Sequence, residues 1–236
     1  DIKDAADKIK RSKTFDFATS CSAENSLVIQ EGIYDELIKA LTDEGGYLLN
    51  AEEKVLMQSK MWINGALARE IIAQPANKIA EYVGLNIPED RTFFMVEETN
   101  VGKEYPFSGE KLSVTVTLYK YKEFRDAIDR VNEITEYQGK GHSCGIHSTN
   151  DEHILEYALK TKTSRLMVRQ PQCLSNSGAW TNGMPMTLSL GCGTWGGNIS
   201  SDNITWEKLL NITWVSYPIP PNQPTDEELF KDVMYE

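Results

Sequence analysis

The chain has 236 residues, of which 40% are hydrophobic, and a formal net charge of −11. This length is enough to bury a sizeable core in one large domain or two modest ones. The negative charge argues against nucleic acid and anionic membranes as partners, but it does not exclude a phosphorylated cofactor held by local basic groups. No apolar run is long enough to predict a membrane span.

The cysteine content and the first residues bear on the origin of the chain. Four cysteines, none in a CxxC pair, are too few for a disulfide scaffold and indicate reduced thiols in the cytosol. No signal-peptide pattern opens the sequence. The chain begins without Met inside a charged stretch, so we expect a fragment or a processed piece of a longer protein.

The first hundred residues are predicted to be mainly helical. Helical patterns cover residues 1–11, 33–41, 51–59 and 77–84. In the last of these, we expect Asn77 to be the N-cap and Gly84 to end the helix. Apolar residues 27–29 and 92–96 predict short strands.

Strands and helices alternate in the next part of the chain. Strands are predicted at 112–119, 144–147 and 165–168, and helices at 124–134 and 151–160. This alternation is typical of an α/β fold with a mainly parallel sheet flanked by helices. The tail from residue 217 contains four prolines, which exclude regular structure there. We expect it to wrap over a neighbour before a short acidic helix, 225–231, opened by a Thr225–Glu228 capping box.

Cys21 is the candidate nucleophile of the chain. It lies among small polar residues directly before the predicted strand 27–29, where a thiol is accessible to substrate. Cysteine is nucleophilic even at its ordinary pKa, and a polar site can lower that pKa further. The alternative is a buried cysteine that acts as a small hydrophobic residue.

Two glycine-rich segments are further candidates for chemistry. In residues 139–144, His142 stands at a glycine-rich turn between a helix and a strand, where α/β proteins build sites. Residues 190–198 contain four glycines, which allow a backbone to approach a ligand closely. The cysteines and histidines lack the paired spacing of a zinc site, so no metal is predicted. No phosphate-binding glycine loop occurs.

These segments, in this order, resemble the acylating (coenzyme A-dependent) aldehyde dehydrogenases. The resemblance runs from about residue 15 to 215, includes residues 106–113, and is most specific in Leu-Gly-Cys-Gly-Thr-Trp-Gly-Gly-Asn, 190–198. It implies an aldehyde dehydrogenase catalytic domain at 15–216 with an extended tail at 217–236. Residues 1–14 would be a helix leading from an absent N-terminal cofactor domain.

The resemblance also implies roles for individual residues. Cys21 would be the nucleophile, His142 the catalytic histidine, and Glu110 the glutamate that contacts the nicotinamide ribose. The cofactor would be NAD or NADP, and coenzyme A would be the acyl acceptor. Hydrolytic relatives use a glutamate base to activate water, and no counterpart of that residue is identified in this chain.

The Cys21 loop and residues 164–171 most resemble the branch of the family that acts on sulfoacetaldehyde. Arg169 is the candidate sulfonate ligand, because a guanidinium presents a rigid fork of donors. The alternative for Arg169 is a surface ion pair. Acetaldehyde or another short-chain aldehyde is the alternative substrate.

Three classes of function therefore remain open. The first is the catalytic part of a cytoplasmic, homo-oligomeric acylating aldehyde dehydrogenase, inactive on its own without its cofactor half. The second is a non-catalytic domain for docking or oligomerisation that keeps the fold. The third is a zinc-binding module.

Overall fold

The computed structural model describes residues 1–234 and divides into a compact unit, 1–205, and a second unit that begins at Trp206. The domain boundary expected from the sequence, between residues 216 and 217, remains a prediction. The helices of the first unit are α1 (Ile2–Thr14), α2 (Tyr34–Asp43), α3 (Ala51–Met61), α4 (Ala76–Val83), α5 (Phe124–Tyr137), α6 (Asp151–Lys160) and α7 (Gln172–Asn176). The strands are β1 (Ser26–Gln30), β2 (Gly46–Leu48), β3 (Trp62–Ile63), β4 (Ala66–Leu67), β5 (Phe93–Glu97), β6 (Thr115–Tyr121), β7 (Cys144–Ile146) and β8 (Leu166–Val168).

The main sheet is wholly parallel and has the strand order β1-β6-β5-β2. Strands β7 and β8 form a separate parallel pair, and β3 with β4 forms a small antiparallel hairpin. Residues 93–96 of β5 are all buried, as expected for a parallel strand covered on both faces. The predicted fold class, a mainly parallel sheet flanked by helices, is confirmed.

Helix α4 tests two predictions about helix ends. Gly84 adopts the left-handed conformation (φ 89°) directly after the helix, so its predicted role as the stop is confirmed. The prediction that Asn77 caps the helix is wrong. Pro75 occupies the N-cap, and Asn77 lies inside the helix. Because proline has a fixed φ and no N–H to satisfy, it suits the start of a helix.

Among its described residues, 206–234, the second unit contains one α-helix, α8 (Asp226–Met234). Its start is the capping box expected from the sequence: the backbone N–H of Thr225 donates to Glu228 Oε2 (2.8 Å), and the N–H of Glu228 donates to Thr225 Oγ1 (3.3 Å). Residues 217–224 form neither helix nor strand. Within residues 1–234, no helix has the length and apolar character needed to cross a bilayer.

Candidate active site

Cys21 lies in the turn that joins α1 to β1, and its side chain is exposed. The approach to this turn is strained, because Asp16, Phe17 and Ala18 have positive φ values of 48°, 50° and 58°. Such values are rare for residues other than glycine and concentrate at functional sites. The residue after Cys21, Ser22, is buried. The turn therefore presents the thiol on a segment anchored by its neighbours.

His142 faces Cys21 from the turn that precedes β7. Its Nε2 atom lies 3.1 Å from Cys21 Sγ, and its Nδ1 atom lies 2.9 Å from Ser143 Oγ. With Nδ1–H donating to the serine hydroxyl, Nε2 is left as the acceptor for the thiol proton. A nucleophile, a base within reach and a third group that orients the base form the general arrangement for nucleophilic catalysis.

The electrostatics of the pair set its resting protonation state. Burial lowers the pKa of His142, and the Arg165 cation lowers it further, so the imidazole is neutral at pH 7. Partial desolvation, followed by the nearby Glu110 carboxylate, raises the pKa of the Cys21 thiol. At rest the site therefore holds a thiol beside a neutral imidazole, and forming the thiolate would require transfer of the thiol proton to a base such as His142 Nε2.

Glu110 shares one cavity with these two residues. Cys21, His142 and Glu110 all line a cavity of about 1190 Å³ that runs along β1 and α5. The backbone N–H of Glu110 donates to Gln138 Oε1 (2.7 Å), and the carboxylate side chain is exposed. Three of the four residues proposed from the sequence are thus brought together.

Arg169 is placed apart from these three residues. It follows β8 with a positive φ of 50°, its side chain is exposed, and its Nη1 donates to the carbonyl oxygen of Ser148 (2.9 Å). Arg169 is not among the described residues that line the cavity, whereas its neighbour Gln170 is.

Buried charged side chains, which the sequence did not predict, support the turn of Cys21. Lys13 and Lys111 are almost fully buried, and so is Glu24. Burial lowers the pKa of Lys13 to about 8 and raises that of Glu24 to about 7. Lys111 Nζ donates to the carbonyl oxygens of Phe107 (2.6 Å) and Gly109 (2.8 Å), which fixes the turn directly before Glu110.

The glycine-rich segment 190–198 owes its glycines to close backbone packing. A Cβ on Gly191 would collide with the carbonyl oxygen of Ser200, and a Cβ on Gly196 with the Cβ of Cys192. Gly141, next to His142, has a φ of 81°, and a side chain there would strike the carbonyl oxygen of Cys192. The segment therefore packs directly against the turn that carries His142.

The remaining cysteines and histidines form no metal centre in residues 1–234, where no group of three or more His, Cys, Asp or Glu side chains is arranged to hold a metal ion. Cys144 and Cys173 are buried, and Cys192 is partly exposed.

No family model matches the chain. It is 45% identical to the sulfoacetaldehyde dehydrogenase (acylating) of Cupriavidus necator over 233 residues, which is 98% of this chain and 47% of that protein. It is 39% identical to the sulfoacetaldehyde dehydrogenase (acylating) of Bilophila wadsworthia, over 98% of this chain and 51% of that protein. Among solved structures, an acetylating aldehyde dehydrogenase from Geobacillus thermoglucosidasius matches with a TM-score of 0.90 and 36% identity, over 95% of this chain and 50% of that chain.

By sequence and by fold, the chain is a homologue of the acylating aldehyde dehydrogenases, and the resemblance found from its motifs is confirmed. The relatives at 39–45% identity are sulfoacetaldehyde dehydrogenases. The chain spans about half the length of the curated relatives it matches.

Proposed function

We propose that this chain supplies the acyl-carrying cysteine and the general base of a coenzyme A-acylating aldehyde dehydrogenase that acts on sulfoacetaldehyde. The observation that carries the proposal is the 3.1 Å separation of Cys21 Sγ and His142 Nε2 in a shared cavity. The substrate rests on the 39–45% identity to sulfoacetaldehyde dehydrogenases over nearly the whole chain.

In the proposed reaction, Cys21 Sγ attacks the aldehyde carbon while its proton passes to His142 Nε2 and from there to the aldehyde oxygen, which gives a thiohemiacetal. A nicotinamide, when bound, supplies the hydride acceptor. Loss of the thiohemiacetal hydride to that acceptor, with the hydroxyl proton taken up by His142 Nε2 and released to solvent, leaves the acyl group on Cys21 as a thioester. The thiol of coenzyme A then takes the acyl group, and the proton it loses restores the thiol of Cys21.

Glu110 fits the role toward the nicotinamide ribose that the resemblance implies. Its exposed carboxylate lies close enough to Cys21 to raise the pKa of the thiol, and a carboxylate can accept hydrogen bonds from ribose hydroxyls. We propose NAD or NADP as the cofactor. The chain itself has no phosphate-binding glycine loop, so the rest of the nucleotide site would lie in a part of the relatives that this chain does not match.

The domain organisation and assembly are parts of the same proposal. Residues 1–14 would lead from the cofactor domain, 15–216 would form the catalytic domain, and 217–236 the tail. Between residues 206 and 219 the sequence is unusually apolar for a stretch with little regular structure; it includes Trp206, Leu209, Leu210, Ile212, Trp214 and Val215. Such a stretch supports contact between subunits of a cytoplasmic homo-oligomer.

The proposal can be tested on the chain alone through the last half-reaction, which needs no nicotinamide. Incubation with sulfoacetyl-coenzyme A should transfer one acyl group to Cys21 and release free coenzyme A, as shown by intact mass and peptide mapping. Cys21→Ala should remain unmodified, and Cys192→Ala should be acylated like the wild type. Acylation of Cys21→Ala, or none of the wild type, would contradict the proposed nucleophile. Faster acyl transfer from acetyl-coenzyme A than from sulfoacetyl-coenzyme A would contradict the proposed substrate but not the proposed nucleophile.

A further inference from the structure

Arg165, the residue before β8, has a buried guanidinium that joins three separate parts of the chain. Its side chain is 4% exposed. Its nitrogen atoms donate to Asn203 Oδ1 (2.6 Å) and to the carbonyl oxygens of His142 (3.2 Å), Gly191 (2.8 Å), Ser201 (3.1 Å) and Asp202 (2.9 Å). The guanidinium is planar with donors in fixed directions, so these acceptors are held in fixed relative positions.

Among these acceptors, His142 connects Arg165 to the candidate active site. Arg165 holds the backbone carbonyl of His142, while the ring Nε2 of the same residue lies 3.1 Å from Cys21 Sγ. Gly141, the residue before His142, packs against the carbonyl oxygen of Cys192 in the glycine-rich segment 190–198. Arg165 also holds this segment, by donating to the carbonyl oxygen of Gly191. The histidine turn is therefore held between the guanidinium and the glycine-rich segment.

The charge of Arg165 acts on the same pair. The cation lies near enough to the Cys21 thiol to favour its thiolate form, against the larger effects of desolvation and Glu110 that raise the pKa. It also lowers the pKa of His142 and so helps to keep the imidazole neutral. A residue with only a structural role elsewhere in the fold would have neither effect.

We infer that Arg165 is a positioning residue that holds His142 in line with Cys21 by tying the His142 backbone to residues 190–203. The inference rests on the proposed function for the chemical roles of Cys21 and His142. The geometry that it describes can be tested without aldehyde, nicotinamide or coenzyme A.

The test measures how fast iodoacetamide alkylates Cys21 between about pH 6 and pH 10, with peptide mass spectrometry to separate Cys21 from the other cysteines. In Arg165→Gln, we expect the rate at neutral pH to fall about tenfold, a part of the 10²–10⁴-fold that a positioned base contributes. The pH profile should move to higher pH. Arg165→Lys keeps the positive charge but loses the planar set of donors of the guanidinium. Its pH profile should therefore stay closer to that of the wild type, while its alkylation rate at neutral pH should still fall.

Arg91 provides a matched control, since it also donates to backbone carbonyls, those of Thr42 and Gly46, and does not line the cavity. Arg91→Gln should lower the melting temperature and leave the Cys21 profile unchanged. If Arg165→Gln behaves in the same way, the inference is overturned. If Arg165→Gln does not fold, Arg165→Lys decides, because a wild-type alkylation rate in that variant would also overturn it. A failure of acyl transfer to wild-type Cys21 would refute the proposed function and leave the alkylation result intact.

Discussion

The hydroxyl of Ser143 lies 2.9 Å from Nδ1 of His142, on the side of the ring away from Cys21. The hydrogen bond made by one ring nitrogen sets the state of the other, so Nε2 can accept the thiol proton when Nδ1–H donates to this hydroxyl. We therefore expect Ser143 to orient the imidazole of His142 toward Cys21.

Ser143→Ala should reduce the rate of Cys21 acylation by about threefold to tenfold at neutral pH, since the base loses its orienting partner but remains in place. Ser143→Thr keeps the hydroxyl and should retain most of the rate. The measurement is the acylation time course by mass spectrometry. A wild-type rate in Ser143→Ala would show that the backbone alone orients the ring.

Replacing His142 should lower the rate of Cys21 acylation more than replacing Ser143 does. His142→Ala should slow acylation of Cys21 by about 10²-fold or more, because it removes the ring nitrogen that lies 3.1 Å from Sγ and can accept the thiol proton. Since burial and Arg165 lower the pKa of His142, the wild-type rate should fall only when the pH drops below the usual range of histidine. A loss of thermal stability with an unchanged rate would instead identify a packing residue.

The buried pair Lys13 and Glu24 gives a prediction of opposite pH dependence. Lys13→Met leaves Glu24 buried with a pKa above its present value of about 7. The folded wild-type carboxyl already keeps its proton up to about pH 7, so the destabilisation relative to the wild type should grow as the pH rises above about 7. Glu24→Gln leaves Lys13 with a pKa below about 8, so its destabilisation should grow as the pH falls from about 9 to 6.

Urea unfolding of both single variants and of the double variant checks this prediction. Each single change should be destabilising at its unfavourable pH, since one buried charge loses the favourable Coulombic effect of the other. The double variant should lose less than the sum of the two. Parallel pH curves for the single variants would show that the two side chains do not interact.

Substitution of Arg169 distinguishes between sulfoacetaldehyde and acetaldehyde as the substrate. If it binds the sulfonate, Arg169→Ala should raise KM for sulfoacetaldehyde in the full-length enzyme by about tenfold, since a charge-assisted contact is worth about 1.5–3 kcal/mol. KM for acetaldehyde should barely change. The guanidinium would have to leave the carbonyl of Ser148 to reach a ligand. Equal changes for both aldehydes would assign Arg169 to the fold alone.

The sequence predicted the elements that follow from periodicity and the residues that follow from motif resemblance. Helix α6 has the predicted bounds, and Gly84 ends α4 as expected because its left-handed backbone favours glycine. Local patterns could not predict the proximity of Cys21 and His142, which are 121 positions apart and meet only in the folded chain. The roles of both residues were predicted from the resemblance to the family, and not from local patterns in the sequence.

The burial of Lys13, Lys111 and Arg165 could not be predicted from the sequence, and the reason is physical. Lysine and arginine are almost never fully buried unless they are paired, so charge in a sequence predicts a solvated surface. For Lys111 and Arg165 the partners are mainly backbone carbonyls, as at Phe107 and Gly191, and residue identity does not reveal such partners.

The position of β1 predicts that self-association of the chain will affect the accessibility of Cys21. Within the described residues, β1 is at the edge of the main sheet and pairs only with β6. An open edge offers unpaired N–H and C=O groups that recruit further strands, in this case directly after the Cys21 turn. Concentrated solutions of the chain should therefore lose accessible Cys21 thiol as edge-to-edge association proceeds, so reactive thiol titrated against protein concentration would report on self-association as well as chemistry.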